Sequence, residues 1–533
     1  MIQIQQIKMP IRHTKEQLHE KICKLLKVDI SSLKEVRIVK QSLDARKKRE
    51  LQYVYTVFVE VENEQSIRKK IKNGTISFIN EITYTFPKAA KNNGHRPVIV
   101  GSGPAGLFCA YVLAENGLSP IVIERGKMVD DRLHDVSKFW ETGELNTGSN
   151  VQFGEGGAGT FSDGKLNTLV KDTKGRNKKV LDTFIKMGAP EKISYMNKPH
   201  IGTDILQNVV KNLREAVKEM GGTFYFETCV TDLVIQQGSI KKLLLSDSAA
   251  GKETELEVDK VVFAVGHSAR DTFYMMHEKG IHMEAKAFAA GLRVEHPQKQ
   301  IDINQYGEEN IGFLPTADYK LHTKLKNERG VYSFCMCPGG YVVNASSEEN
   351  MLAVNGMSYS KRDGKNANSA IIVTVTPEDF KTKHPLSGVE FQRKLEAAAF
   401  DLGNGCIPQQ LFGDFIEKKV STDYGEFQSC CKGKTTFAPL HHLFPAYLRD
   451  SLAEGMNLFA KYMKDFNRAD CILSGVESRT SSPVRIVRDE HFVSNISGIY
   501  PCGEGAGYAG GIMSAAMDGL KVAEAMFRNE IKG

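Results

Sequence analysis

The chain lacks any run of about 20 apolar residues, the length that a membrane-spanning helix needs. Its first residues, MIQIQQIKMPIRHTKE, do not show the charged-then-apolar order of a secretory signal. Its ten cysteines have no regular framework spacing, which is typical of a reducing compartment rather than of a disulfide scaffold. We therefore expect a cytoplasmic protein without membrane contact, whose 533 residues form two or three domains.

Two kinds of catalytic site are also missing from the sequence. No cysteine or histidine cluster has the paired spacing of a zinc site, so no metal is expected. No Ser/His/Asp arrangement stands out, which argues against a hydrolase.

The chain does have a glycine-rich turn between two apolar strands, in RPVIVGSGPAGLFCAYVLAENGLSPIVIERG. One glycine allows a sharp turn, one lets the backbone approach a pyrophosphate, and one lets the helix pack closely on the strand. Glu124 ends the second strand 18 residues after Gly106, close to the ~20-residue spacing of a carboxylate that binds an adenosine ribose. The pattern predicts a dinucleotide site at Gly101, Gly103, Pro104, Ala105 and Gly106.

A second glycine segment near the carboxyl end, GIYPCGEGAGYAGGIMSAAMDGLKVAE, reads as a strand, a turn and a long helix. FAD is longer than NAD, so a chain that holds it by one fingerprint commonly brings back such a segment. Gly503 and Glu504 are predicted to lie at the ribityl chain, with the carboxylate on a hydroxyl. Gly510, Gly511 and Ile512 would present helix N-terminal N–H groups to the flavin pyrimidine edge. The cofactor prediction is noncovalent FAD, with NAD(P)H as a transient electron donor.

Further contacts to this cofactor are expected between the two glycine segments. Gly266 ends the strand in VDKVVFAVGHSAR, and the backbone of Val230 would lie beside the adenine; an ordinary buried strand is the alternative for both. Arg125 and Arg132 would neutralise the pyrophosphate. The loop VQFGEGGAGTFSDGKL is predicted to form an anion-binding concavity of consecutive N–H groups, or else a flexible surface loop; its glycines are Gly154, Gly156, Gly157 and Gly159.

On these motifs, together with FCMCPGGYVVNASSEEN, NGMSYSKRDGKNANSA and GVESRTSSPVRIVR, the chain resembles the flavoproteins of the glutathione reductase type. Within them it is similar to the bacterial uncharacterised FAD-dependent dehydrogenases, also labelled NAD(P)/FAD-dependent oxidoreductases. The resemblance covers most of the chain and implies the fold and FAD, but no substrate. It also implies that the glycine loop lies over the flavin, so Ser162, Asp163 and Lys165 become candidates to touch it.

The predicted fold class is α/β, a Rossmann-like FAD-binding domain with an inserted α+β substrate domain. An N-terminal unit of βαββαβ order, which is the ferredoxin-like order, precedes it, with the boundary near PKAAKNNGHR. We expect the ferredoxin-like unit at 1–92, the FAD-binding domain at 93–285 and 476–533, and the insertion at 286–475.

The N-terminal unit is basic. Residues 1–96 contain 20 Lys and Arg against 10 Asp and Glu, whereas the rest contains 50 against 54. Three interpretations stay open: RNA contact, docking of an acidic protein electron partner or an anionic substrate, and a solvated lysine face. The cluster Arg46-Lys47-Lys48-Arg49 favours RNA, but the strands lack the aromatic stacking signature of the common RNA-binding module, which makes nucleic acid the weaker interpretation.

Candidates for catalysis or substrate binding lie in the segment before the last FAD-domain strand, in the glycine loop and in the insertion. The segment GVESRTSSPVRIVR combines one carboxylate with several hydrogen-bond donors beside the last strand of the FAD domain. The candidates for a catalytic role are Arg479 and Arg485 in this segment and Lys165 in the glycine loop. The insertion offers polar residues that could bind a substrate: His296, Asn355, Arg362, His441 and His442.

A close thiol pair, Cys335 and Cys337, could relay electrons beside a flavin. The redox signature with a known mechanism is CxxC, however, and one intervening residue makes a strained ring, so a structural role is favoured. The same holds for the adjacent pair Cys430-Cys431.

The function predicted from these patterns is an FAD-dependent oxidoreductase that passes hydride or electrons between a small-molecule substrate and the flavin. One alternative is an FAD-assisted RNA-modifying protein that uses the basic N-terminal unit. Another is a flavin-binding regulatory protein that does not turn over.

Overall fold

In the computed structural model, residues 1–48, 50–70, 74–87, 96–310 and 312–531 are described. The N-terminal unit forms an antiparallel sheet of order β2-β3-β1-β4 around a core of its own, and its elements follow the predicted βαββαβ order. The elements are β1 (Ile2–Pro10), α1 (Lys15–Leu26), β2 (Leu33–Asp44), β3 (Gln52–Val61), α2 (Glu64–Lys70) and β4 (Ile76–Phe78).

The last strand of this unit is shorter than predicted. The pattern ISFINEITYTF indicated a strand up to residue 86, but β4 ends at Phe78 because only three residues pair with β1. The chain beyond it lies along the C-terminal helix, where Phe86 packs on Phe527 with ring centroids 5.0 Å apart. Arg49 of the basic cluster, residues 71–73 of the predicted second helix, and residues 88–95 of the predicted domain boundary lie outside the described residues.

The first part of the central domain alternates short strands with helices, and an antiparallel ribbon of three strands interrupts this alternation before the strand at Val261–Phe263. Its elements are β5 (Val98–Val100), α3 (Pro104–Glu115), β6 (Ile121–Ile123), α4 (Val129–Thr142), α5 (Arg176–Lys186), α6 (Thr203–Glu219), β7 (Thr223–Tyr225), β8 (Thr228–Gln236), β9 (Ser239–Asp247), β10 (Lys252–Glu257), β11 (Val261–Phe263), α7 (Arg270–Glu278) and β12 (Met283–Ala285).

The inserted segment is mixed α and β. Its elements are β13 (Phe288–Pro297), α8 (Gln298–Tyr306), β14 (His322–Lys324), β15 (Gly330–Cys337), β16 (Tyr341–Asn344), β17 (Val354–Met357), β18 (Asn366–Val375), α9 (Ser387–Leu402), β19 (Ile407–Leu411), α10 (Phe412–Glu417), β20 (Cys431–Lys432), β21 (Thr435–Phe437), α11 (Ala446–Phe459) and β22 (Ile472–Glu477). The chain then returns through β23 (Val484–Ile486), β24 (Ile499–Pro501) and α12 (Ile512–Ile531).

Two sheets carry the architecture. The first is parallel, of order β24-β11-β5-β6-β7, so that the strand from the carboxyl end lies beside those from the amino half. Its strands VIV, IVI and VVF are wholly buried, as expected for a parallel sheet covered on both faces. The second sheet, of order β14-β15-β18-β13-β22-β19-β21, forms the insertion around a separate apolar core.

The sequence pattern of YSFCMCPGGYVVNA predicts one strand, but the segment forms two strands. β15 ends at Cys337, and after Pro338-Gly339-Gly340 the chain continues as β16 in a different, three-stranded sheet. None of the helices in the described ranges combines the length and the apolar character that crossing a bilayer takes.

Candidate functional site

A cavity of about 460 Å³ lies where the carboxyl ends of β5, β6 and β11 face the insertion. Ligands of open parallel sheets bind at this edge. Both glycine segments contribute to its wall, through Gly103 on one side and Gly510 and Gly511 on the other, and insertion residues such as Asn355 close it. The two ends of the chain therefore meet at one site, as the sequence predicted.

Several wall glycines face open space. A Cβ built on Gly266, Gly510 or Gly511 meets no atom within 4 Å, and one on Gly103 comes only within 3.9 Å of a neighbouring Cα atom. Packing within the protein therefore does not explain why Gly103, Gly266 and Gly510 have no side chain, whereas Gly511 has φ +146, a conformation that favours glycine. Gly103 also caps α3 without a side-chain hydrogen bond, so the first turn of that helix offers its N–H groups to an anion.

Other motif glycines serve packing. A Cβ on Gly106 would lie 1.9 Å from the carbonyl oxygen of Gly101, which confirms the predicted close contact of helix and strand. Gly101 itself has φ +101, and a Cβ there would lie 2.7 Å from the carbonyl oxygen of Ala264. Gly503 does not line the cavity: its N–H donates to Asp518 at 2.8 Å. The expected cofactor contacts of Gly106 and Gly503 are thus corrected to packing roles.

Glu124 borders the cavity and is nearly buried. One carboxylate oxygen accepts hydrogen bonds from the N–H and hydroxyl of Ser102, at 2.9 and 2.8 Å. The other accepts from the N–H groups of Gly126 and Gly154, at 2.9 and 3.0 Å. The carboxylate therefore ties the glycine turn to the loop that follows α4, and its contact with a ribose hydroxyl stays a prediction.

The loop at 151–166 differs from both of its predicted forms. It is largely buried, so it is not a flexible surface loop. The N–H groups of Gly154, Gly156 and Gly157 donate to acceptors within the protein, so the predicted concavity of consecutive free N–H groups is wrong. The loop instead presents backbone and small side chains to the cavity at Gly157, Ala158 and Gly159.

Arg132 explains this loop geometry. Its guanidinium is fully buried and donates to five backbone carbonyls, those of Asn150, Val151, Gly154, Glu155 and Gly157. Burial lowers its pKa to about 10. The predicted contact of Arg132 with a pyrophosphate is therefore wrong, because its donors all shape the loop. Arg125 does line the cavity, where it pairs with Asp271 at 3.0 Å and lies over the ring of Phe153.

Glu504 lines the opposite wall together with His267. Nδ1 of His267 lies 3.1 Å from the Glu504 carboxylate, and its buried Nε2 has no hydrogen-bond partner among the described residues. The sequence analysis did not single out this histidine. Its position directly after β11 and Gly266 is the signal that could have found it.

Lys165 lies in a buried charge cluster at the insertion side of the cavity. Its ammonium group pairs with Asp163 at 2.8 Å, and Asp163 also accepts from Arg362. Burial is the largest single influence and opposes the charge on Lys165, but the Asp163 carboxylate and the nearby Cys337 and Cys335 together raise the pKa of the lysine above its usual value. Lys165 also donates to the carbonyl of Met336, which connects the glycine loop with β15.

Arg479 belongs to a second buried network at the cavity wall. Its guanidinium binds Glu396 through two hydrogen bonds, at 3.0 and 2.7 Å, and Glu396 accepts equally from Arg270 of α7. Burial disfavours the charge on Glu396, yet the two arginines hold the pKa of this carboxyl well below its usual range. The network joins the central domain to the insertion. Arg485 lies beside the ring of Tyr508 instead and does not line the cavity, so its predicted place at the flavin is wrong.

Of the polar residues suggested within the insertion, Asn355 alone lines the cavity. His296 is fully buried and bonded to the carbonyl of Phe466, and burial lowers its pKa to about 4. His441 contacts Gln410. These histidines serve packing rather than binding.

Comparison with known proteins decides the family. Residues 95–299 match the family described as pyridine nucleotide-disulphide oxidoreductase, and residues 287–480 match the one described as FAD-dependent protein, C-terminal domain-like. Residues 1–60 match a domain of unknown function. The chain is 47% identical over 530 residues to an uncharacterized protein of Clostridium beijerinckii, covering 98% of both chains.

The chain belongs to the FAD-dependent oxidoreductases. Among solved structures, the flavoprotein is similar to the glycerol-3-phosphate dehydrogenase from Bacillus halodurans complexed with FAD, at 12% identity and TM-score 0.36, over 83% of this chain and 65% of that one. It is also similar to the L-proline dehydrogenase from P. horikoshii, at 13% identity and TM-score 0.35, over 82% of this chain and 94% of that one.

FAD is the cofactor of this flavoprotein, and the cavity fits it on structural grounds. The open sides of Gly103 and Gly266 leave room for an elongated ligand along the strand ends. The N-termini of α3 and α12 both reach the wall, where they favour negative charge. The predicted contacts that line the cavity are Gly101, Gly103, Pro104, Ala105, Glu124, Arg125, Gly157, Gly159, Ser162, Asp163, Lys165, Val230, Gly266, Glu504, Gly510, Gly511 and Ile512.

Proposed function

We propose that this oxidoreductase passes two electrons between FAD and a small molecule that binds where the cavity meets the insertion. The observation that carries the proposal is the continuity of one cavity between the glycine segments and the insertion side chains Ser333, Asn355 and Lys320. FAD supplies the redox chemistry when bound, and the protein positions the partner and moves protons.

Glu477 is the best candidate for proton transfer at this end of the cavity. It lines the wall, is 2% exposed, and accepts from Arg293 at 3.0 Å. Burial is the main reason that its pKa is raised to about 7, while the arginine acts in the opposite direction. A carboxyl group with a pKa near neutrality exchanges a proton readily at physiological pH.

The charge of the cavity wall is balanced. Five basic and five acidic side chains line it: Arg125, Lys165, Lys198, Lys320 and Arg479 against Glu124, Asp163, Asp318, Glu477 and Glu504. An anionic substrate therefore stays a prediction, as do an acidic protein partner and contact with RNA.

The test is an anaerobic screen of the FAD-loaded protein against a panel of metabolites and NAD(P)H, followed by flavin absorbance. We expect one chemical class to bleach the flavin, and Asn355→Leu to weaken that response without changing the flavin content per chain. Reduction by dithionite but by no member of the panel would contradict turnover and favour the regulatory alternative.

A further inference from the structure

The strand β15 ends in an irregular turn that carries two cysteines to the cavity. The ladder with β18 shifts between Phe334 and Cys337, and Cys335 has φ +43, in the left-handed region. A non-glycine residue in this conformation costs about 1–3 kcal/mol, and such residues cluster at functional sites. Cys335 is half-buried and lines the cavity, whereas Cys337 is fully buried next to it.

Two cations hold this turn. The guanidinium of Arg293 donates to the carbonyl oxygen of Cys335 at 3.1 Å and lies 4.0 Å from the sulfur of Cys337. Lys165, on the glycine loop, donates to the carbonyl of Met336. Arg293 is completely buried, so its charge acts on the thiols with little screening by water.

The two carboxylates near this turn already form ion pairs with these cations. Asp163 pairs with Lys165 at 2.8 Å, and Glu477 with Arg293 at 3.0 Å. The thiol of Cys337 donates to the carbonyl of Cys335 at 3.2 Å. The pair thus stands between two cations, each with one carboxylate partner.

This environment treats the two thiols differently. A hydrogen bond between the two thiol groups, distinct from the one to the carbonyl, is the main cause that lowers the pKa of the Cys335 thiol; burial opposes this, and Lys165 and Arg293 favour the thiolate. The same hydrogen bond, with burial, raises the pKa of Cys337. A thiolate that reaches the cavity beside a protonated thiol is the arrangement of an attacking and a resolving cysteine.

We propose that Cys335 and Cys337 are a redox-active pair that exchanges two electrons with the bound FAD. On oxidation, the Cys335 thiolate and the Cys337 sulfur form one S–S bond and the single S–H bond of Cys337 breaks; two electrons and that one proton pass to the flavin. The strain of a ring with one intervening residue is consistent with this role, because strained disulfides are the easily reduced ones. The proposal rests on the FAD site and adds an internal electron carrier to the proposed function.

The first experiment measures thiol reactivity in the FAD-loaded protein. Iodoacetamide alkylation over a pH series, read by peptide mass spectrometry, should modify Cys335 about tenfold or more faster than Cys229 at neutral pH. Cys229 is the internal reference because it also is half-buried and lines the cavity, but burial raises its pKa. Lys165→Gln should slow the modification of Cys335 and leave that of Cys229 unchanged.

The second experiment counts electrons. Anaerobic reductive titration of the oxidised protein should consume about two equivalents of a two-electron reductant per flavin in the wild type, and about one in Cys335→Ser and Cys337→Ser. Cys430→Ser, a half-buried cysteine outside the cavity wall, is the matched control and should behave as the wild type.

Uptake of one equivalent by the wild type, or no disulfide between the two cysteines in the oxidised protein, would overturn the inference. Flavin content per chain, measured for each variant, separates loss of the carrier from loss of the cofactor. The two proposals can fail separately, because flavin bleaching by a metabolite tests the proposed function and the number of reducing equivalents tests the cysteine pair. A protein that no metabolite reduces can still take up two equivalents, and a protein that a metabolite reduces can take up only one.

Discussion

Gly519 of the C-terminal helix lies against Ala105 of the first glycine motif. A Cβ on Gly519 would lie 2.2 Å from the carbonyl oxygen of Ala105, so the backbones of α3 and α12 touch there. The helix α3 begins at Pro104 and α12 begins at Ile512, and both of these residues line the cavity. The spacing of the two glycine segments at the cavity therefore depends on a glycine contact between residues more than 400 positions apart.

Gly519→Val should separate these helices. Overpacking at a close backbone contact costs about 1–3 kcal/mol or more, and the shift would misplace the N-terminus of α12. We expect a lower unfolding midpoint and reduced flavin per chain, measured by thermal denaturation and absorbance. Lys521→Ala on the same helix is the control, and wild-type flavin content in Gly519→Val would contradict the assignment.

Gly103→Val should remove FAD without unfolding the protein. A Cβ at this position meets no close neighbour, so the added methyl groups occupy the cavity rather than the core. We expect colourless, folded protein with a wild-type circular dichroism spectrum. Gly106→Ala is the contrasting variant: its Cβ would lie 1.9 Å from the carbonyl oxygen of Gly101, so it should lower the unfolding temperature itself. Yellow Gly103→Val with full flavin content would be incompatible with this site.

Glu396→Gln should destabilise the protein by about 1.5–3 kcal/mol, because it removes the fully buried carboxylate shared by Arg270 and Arg479 and leaves them only the more exposed Glu348 as a counter-charge. The lowered pKa of Glu396 means that its contribution is present above its ordinary value of 4.5 and is lost only as pH falls through the lower folded value. Urea denaturation at neutral pH measures the loss. Glu417, which forms an exposed ion pair with Lys419, is the control, and Glu417→Gln should leave the urea midpoint unchanged. Equal midpoints for the two variants would refute the argument.

Glu477→Gln should change how stability depends on pH. With a folded pKa of about 7 against an ordinary 4.5, the folded protein binds the extra proton between these values, so its stability falls as pH rises across this window. The glutamine variant loses this slope. Urea denaturation at several pH values between about 5 and 8, with excess FAD, compares the two proteins; parallel curves would show that Glu477 does not titrate in this range.

The sequence predicted those features that a local pattern encodes. A glycine turn between two apolar strands dictates backbone conformation over a few residues, so the roles of Gly101 and Gly106 and the meeting of both glycine segments were predictable. The strand–helix order of the N-terminal unit follows from short-range periodicity in the same way. Its interpretation as an RNA-binding or partner-docking surface stays a prediction.

The partners of long polar side chains were not predictable. Arg132 stands beside an FAD motif in the sequence, but its guanidinium donates to five loop carbonyls 18 to 25 residues away. The turn at Cys335 is held by Lys165, 170 positions earlier, which donates to the carbonyl of Met336, and by Arg293 on another strand, which donates to the carbonyl of Cys335. Local patterns determine backbone shape because their interactions span one turn or one strand, whereas the charge around a buried group depends on which distant segments fold against it.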